Sequence, residues 1–288
     1  MKSDSKIINW GGNILYMLLI FLFVADPTNT ILGLKSAMFA LLLLYSFVFF
    51  RPDWGNLKYF LIPVFVVLIS WVFAVIQGEI VDISEVKAVI VAFTPLLLLL
   101  WSSHYDVIKL SVIPVTITAI IVLVLFWLIF FVPEMEAPIY LFMWKYDDTI
   151  MMSNRAFLGI EIFCMYLKST SAFLPVFGFV LYEVISKSKW RVLYILIILI
   201  LFHLFVISGT RSSMLFPFLL ACVILFIYCR NGRYARYIAY PTVFLFCVLF
   251  LLLLIVLLME TDESSNYVKY GHLTSYKMLF DEHPEYLL

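Results

Sequence analysis

The stretch VLYILIILILFHLFVI (192–207), SGTRSS (208–213) and MLFPFLLACVILFIYC (214–229) decides how this chain folds. Two uninterrupted apolar runs flank one polar hexad, so Arg211 stands at the tip of a tight hairpin between membrane-spanning helices. Sixteen helical residues reach about 24 Å, short of a hydrocarbon core of about 30 Å. The turn is therefore drawn toward the headgroup level. A cation there also faces the positive end of the second helix's dipole, an unfavourable placement of about 0.3–1 kcal/mol. Arginine, hydroxyls and free helix amides together suit an anion at the membrane surface.

Composition points the same way. The chain has 288 residues, of which 65% are hydrophobic and 13% charged, with mean hydropathy +1.07. Soluble domains carry about twice that share of charge, so this is an integral membrane protein. Cys164, Cys222, Cys229 and Cys247 lack metal or disulfide spacing and read as packing residues. Lys2 and Lys6 precede an apolar stretch as in a signal peptide. Phe23, however, stands where a small residue should precede a cleavage site at Ala25, so a retained first span is expected.

Apolar runs bounded by polar turns predict an all-α, polytopic helix bundle of about nine spans. They fall near 10–25, 31–50, 59–76, 86–101, 108–132, 170–186, 192–207, 213–229 and 237–258. With the N-terminus inside, the inner segments hold eleven basic residues of the chain's 19 and only Asp4, Asp53, Asp106 and Glu183 among its 19 acidic ones. Cytoplasmic loops carry the Lys/Arg excess. Inverting the bundle would put Lys187–Arg191 and Arg230–Arg236 outside, against that rule.

Counting 150–167 as a tenth span would break the charge pattern. Asn154, Glu161 and Lys168 recur every seventh residue, along one helical face. Residues 151–168 are accordingly expected to form an outer-face helix in the membrane surface. Residues 1–258 then form the bundle, with an outer loop over about 133–169. Residues 259–288 begin a second large outer loop, and the chain reads as partial. The inner loops are short and basic, with no Gly-rich phosphate loop. Chemistry is expected outside.

Each candidate residue has a plainer alternative. Arg211 can be a snorkelling anchor, but its dipole position and the hydroxyls of Ser208, Thr210, Ser212 and Ser213 favour anion binding. Ser212 or Ser213 also suits a helix cap. Arg155 and Glu161 fit an exposed polar face, or a second phosphate-binding cation with a carboxylate that orients an attacking hydroxyl. His272 is the candidate general base; His104, His203 and His283 have weaker claims, and His203 is expected to pack. Asp147-Asp148 and Asp262-Glu263 read as solvated charge, and no metal is expected. The outer aromatics suit either sugar stacking or the membrane interface.

The stretches SGTRSSML (208–215) and GHLTSY (271–276), the latter continuing to Phe280 and His283-Pro284, carry a resemblance. With this order of spans they resemble the O-antigen polymerase and O-antigen ligase group of bacterial inner-membrane proteins. The resemblance covers the whole chain in hydropathy and about twenty residues in motif. It implies a GT-C-like fold and metal-independent transfer of a saccharide from undecaprenyl pyrophosphate to a sugar hydroxyl at the periplasmic face. No cofactor is implied. Arg211, Arg155, Ser212 and Ser213 would hold the pyrophosphate, and His272 and Glu161 would serve catalysis. The lipid-linked oligosaccharide, membrane lipid, a chain-length regulator and a flippase are the implied partners, with no nucleic acid. The family usually continues with a Gly-rich turn and further spans, whereas this sequence stops at Leu288. A ligase, or a flippase for the same lipid-linked glycan, is the alternative. Transporters, however, commonly show inverted repeats and ionisable groups at mid-membrane, which this sequence lacks.

The charge pattern makes a direct prediction. Reporter fusions at Arg233 should read as cytoplasmic, and those at Asp148 and Ser265 as periplasmic. A cytoplasmic signal at Asp148 would overturn the sidedness.

Overall fold

The computed structural model describes residues 2–77, 83–146, 149–157, 160–186, 188–209 and 211–229, with a few single positions beyond. The chain divides into two compact units, Met1–Pro217 and Phe218–Leu288. In the first, helices α1 (Lys2–Ala25), α2 (Lys35–Phe49), α3 (Lys58–Ile76), α4 (Ile83–Ala92) and α5 (Val107–Phe131) follow one another. A short α6 (Glu136–Lys145), strands β1 (Ile150–Phe157) and β2 (Ile160–Leu167), and helices α7 (Phe173–Ile185) and α8 (Arg191–Ile207) complete it, with the start of α9 (Arg211–Cys229). The described part of the second unit is the rest of α9 to Cys229 and isolated helical positions beyond it.

Helix starts follow local chemistry. The Asp106 carboxylate accepts the Lys109 N–H at 3.2 Å and caps α5. Asp53 accepts the Gly55 N–H at 3.0 Å and opens the 3₁₀ turn Trp54–Leu57 that leads into α3. Past α4, Pro95 lies in a 3₁₀ segment, Thr94–Trp101, that carries the same apolar rod onward.

Helix α5 is the hub: α1, α7, α8 and β2 all pack on it. Its sequence is apolar all round, which hides any face. The fold selects Val112, Val115, Ala119, Val122, Phe126 and Ile129 for burial, a stripe at alternating three- and four-residue spacing. The opposite side, including Ile113, Ile117, Ile120, Val124 and Phe131, stays exposed, as a lipid-facing surface would. A second cluster gathers Tyr16, Leu19, Leu42, Leu100, Trp101 and Tyr105 around the α1–α2 contact. Gly12 belongs to it, because a side chain there would run into the Tyr105 hydroxyl at 2.9 Å and the Phe50 ring at 3.2 Å.

Among the described residues, four helices are long and apolar enough to cross a membrane: Lys6–Ala25, Trp54–Ile76, Ile83–Trp101 and Val107–Phe131. Lys35–Phe49, Thr170–Ile185, Arg191–Ile207 and Leu215–Ile227 are apolar but shorter, at 10–17 residues. Helices thus stand where eight of the nine expected spans were drawn, and only half of them have full crossing length. The ninth, 237–258, lies outside the described residues apart from isolated positions.

The expected outer surface helix over 151–168 is corrected. This segment is an antiparallel β-hairpin, with Ile150 opposite Leu167 and Phe157 opposite Ile160. The seven-residue recurrence of Asn154, Glu161 and Lys168 does not select a helix by itself. Between the paired positions 157 and 160 stand only Leu158 and Gly159, and β2 is rich in β-branched and aromatic residues. Cys164, Met165 and Leu167 are buried, so consecutive positions near the end of β2 are covered on both faces of the strand. The hairpin is seated on the bundle, with Phe163 stacked on Phe126 of α5 at 5.8 Å.

Candidate functional site at the polar end of the bundle

At the end where α1, α5 and α8 finish, loops and the hairpin are tied together through hydroxyls. Ser169 Oγ donates to the Val24 carbonyl at 2.5 Å, joining the residue after β2 to the last turn of α1. Thr30 donates to the Tyr146 carbonyl at 3.0 Å, and the Thr28 and Thr149 hydroxyls meet at 3.0 Å. The Lys168 N–H reaches the Thr149 carbonyl at 3.2 Å, and the Thr170 hydroxyl the Leu167 carbonyl at 2.5 Å. Helix ends leave carbonyls and N–H groups without intrahelical partners. These contacts satisfy several of them where a bilayer would supply little water.

Asp26 organises the loop between α1 and α2, and no motif in the sequence marked it as functional. Its residue is only 1% exposed, yet its carboxylate accepts the N–H groups of Thr30 at 3.1 Å and Leu32 at 2.9 Å. Burial pushes its pKa up. The N–H groups of Leu32, Ile31 and Thr30 and the nearby Lys35 ammonium outweigh that and hold it below the usual carboxylate range. Asn29, at φ 61°, turns the chain back and accepts the Lys35 N–H at 3.2 Å, serving the first turn of α2. The one available signal was the polar break DPTNT (26–30) directly after an apolar run.

Helix α8 ends at Ile207 and α9 begins at Arg211, so both helix ends fall within or beside the polar hexad. Helix α8 closes with the Ser208 N–H on the Leu204 carbonyl at 3.1 Å and the Gly209 N–H on Val206 at 3.3 Å. The Ser208 hydroxyl donates back to the Phe205 carbonyl at 2.7 Å. Gly209 takes φ 60°, the left-handed conformation that ends helices at glycine. Arg211 is the first residue of α9. A cavity of about 250 Å³ opens beside this turn, lined by Tyr166 of β2, Thr170, Ser171, Leu174, Phe205 and Ser213 among others. A second, apolar recess of about 340 Å³ lies between the ends of α1 and α5 and helix α6, with Thr149 on its wall beside Ile31, Leu125, Ile139, Phe142 and Ile150.

Ser213 lines the hydroxyl-bearing cavity, with Ser212 and Arg211 just before it in the same turn of α9. Arg155 stands opposite Ile162 and Glu161 opposite Ala156. Both stand on strands, not on the helix that was expected to carry them. His272, Thr210, Asp147-Asp148 and Asp262-Glu263 lie outside the described residues. His203 packs edge-on against Trp127 at 5.6 Å, and His104 stacks on Phe50 at 4.6 Å.

No family model, curated protein or solved structure matches the chain. The site is therefore read from its own residues.

Asp26→Asn keeps the shape but loses the charge and one of the acceptors. It should lower stability by about 1–3 kcal/mol at neutral pH. Because the folded carboxyl's pKa is depressed, its contribution is full above the unfolded value of about 3.9 and fades as pH falls through the folded value. Thermal unfolding in detergent should show the gap between wild type and Asp26→Asn closing in acid. A gap that is constant or widens toward low pH would contradict this role.

Proposed function

We propose that this chain transfers a glycan from undecaprenyl pyrophosphate to a sugar hydroxyl at the periplasmic face of a bacterial inner membrane. The polymerisation of O-antigen or similar repeat units is the reading the sequence resemblance favours. The observation that carries it is the Ser208–Ser213 turn, which starts α9 at Arg211 and contributes Ser213 to a cavity shared with Tyr166, Thr170 and Ser171. A lipid-linked donor needs cationic and N–H groups for its pyrophosphate beside an apolar recess for its isoprenoid. The recess between α1, α5 and α6, at the same polar end, supports that pairing.

In this mechanism the acceptor hydroxyl attacks the anomeric carbon, and the bond from that carbon to the pyrophosphate oxygen breaks. Undecaprenyl pyrophosphate leaves with the electron pair, while a base takes the acceptor proton. Arg211, the hydroxyls of Ser212 and Ser213 and the first N–H groups of α9 would stabilise the charge that grows on the leaving oxygen. Arg155 is the second candidate cation, and His272 and Glu161 are the candidate bases. A ligase uses the same donor chemistry and differs in the acceptor. A null strain with uncapped lipid A core but intact polymer on undecaprenol would identify a ligase.

Arg211→Ala should cut polymer formation by roughly a hundredfold or more, with insertion and abundance near wild type. Arg211→Lys should rescue poorly, because it loses the planar fork that grips two phosphate oxygens. A snorkelling anchor behaves differently, since lysine snorkels as well as arginine. Full polymer length on an O-antigen gel from either variant would remove Arg211 from the site.

A further inference from the structure

Helix α6 follows the three-residue 3₁₀ turn Pro133–Met135 at the end of α5 and runs for ten residues. Of these, Ile139 and Met143, one turn apart, are buried. With Pro138 and Phe142 they form the α6 wall of the apolar recess of about 340 Å³, whose other lining includes Ile121 and Leu125 of α5. The opposite side of α6 carries Ala137, Tyr140, Leu141 and Trp144, at the spacing that aligns residues along one helical face. Tyr140 is 50% exposed, Leu141 61% and Trp144 66%. A contiguous apolar face of this kind marks a binding surface.

Depth decides what covers that face. The 25 residues of α5 span about 37 Å, about 7 Å more than a hydrocarbon core of about 30 Å. Leu125 stands six residues before the end of α5 and Ile121 ten, about 9 Å and about 15 Å below it. Even with the whole excess at this end, both lie inside the hydrocarbon. Helix α6 shares a recess with them and therefore lies at the boundary between acyl chains and headgroups. Tryptophan and tyrosine favour that level, where the ring is in apolar surroundings and its polar tip reaches headgroups or water. The charges fit as well. Glu136 opens α6 and Lys145 closes it, at the ends of the rod where the helix dipole favours each, and the exposed face between them is apolar.

We infer that α6 is an interfacial helix embedded lengthwise in the leaflet at this end, with Tyr140, Leu141 and Trp144 among the lipid chains. Its other side forms the lip of the recess. Ile121, on the recess wall, is itself exposed on the lipid-facing side of α5, so the recess meets the same lipid. This placement is independent of the glycosyl-transfer reading and stands if that reading fails.

The probe is the indole of Trp144 in the full chain, reconstituted in vesicles of dioleoyl phosphatidylcholine and dioleoyl phosphatidylglycerol. Its emission is the difference between wild type and Trp144→Phe. Bromine on an acyl chain quenches an indole that it touches, and acrylamide quenches from water. Phosphatidylcholine brominated near the ester end should quench Trp144 roughly twofold better than the same lipid brominated near the chain end, because interfacial helices sit about 5–10 Å into the headgroup–acyl boundary. Acrylamide should quench it weakly. Quenching by acrylamide alone would place the face in water, and quenching by neither agent would place protein over it; both results overturn the proposal. Stronger quenching from the chain end also overturns it. Leu141→Trp in the otherwise unchanged chain should add a component quenched as Trp144 is, and this decides alone should Trp144→Phe fail to fold.

Discussion

The rest of the first unit depends on the packing stripe of α5. Apolar side chains gain little by leaving lipid for other apolar side chains, so helices in a bilayer associate through close packing and hydrogen bonds. Helix α5 provides the close packing: Ala119 is fully buried, with Val115 and Val122 beside it. Small side chains along one line let α1, α7 and α8 approach the same helix. The larger Phe126 and Ile129 fill the space toward its end, where Phe126 meets Phe163 of the hairpin. The hairpin is thus positioned by the core itself.

That arrangement fixes what the polar end can do. Loops that carry hydroxyls also carry backbone N–H and C=O groups, which need partners near a bilayer. The Ser169–Val24 and Thr30–Tyr146 bonds supply some of them. The buried carboxylate of Asp26 supplies others, and the hydroxyl–carbonyl contacts make several loops into one connected rim. Ser213 at the start of α9 and Tyr166 near the end of β2 line one cavity, together with Thr170 next to this rim. A transfer that separates a pyrophosphate from a sugar gains from donors already in place.

The sequence revealed most of the helices because an apolar run of helical length between polar turns has few other solutions. It also marked the break between α8 and α9 at the hexad 208–213, although with Arg211 at its tip, whereas the left-handed residue is Gly209 and Arg211 already belongs to α9. Which face of α5 would be buried was illegible, because every face of that helix is apolar. The hairpin was missed for a related reason: Asn154, Glu161 and Lys168 match a helical period, while the competing signal was one Gly159 and a modest enrichment in β-formers. Asp26 was invisible as a site residue because its partners are backbone groups, which leave no trace in residue types. The placement of Arg155 and Glu161 on one helical face failed with the helix that was to carry them.

Whether a glycosidic bond forms at this polar end can be read from purified protein supplied with lipid-linked repeat units. With the full chain in proteoliposomes and no added nucleotide, the account predicts longer glycans on the lipid carrier and release of free undecaprenyl pyrophosphate in equal amounts. Movement of the lipid-linked glycan across the bilayer with no new glycosidic bond and no released carrier would contradict it.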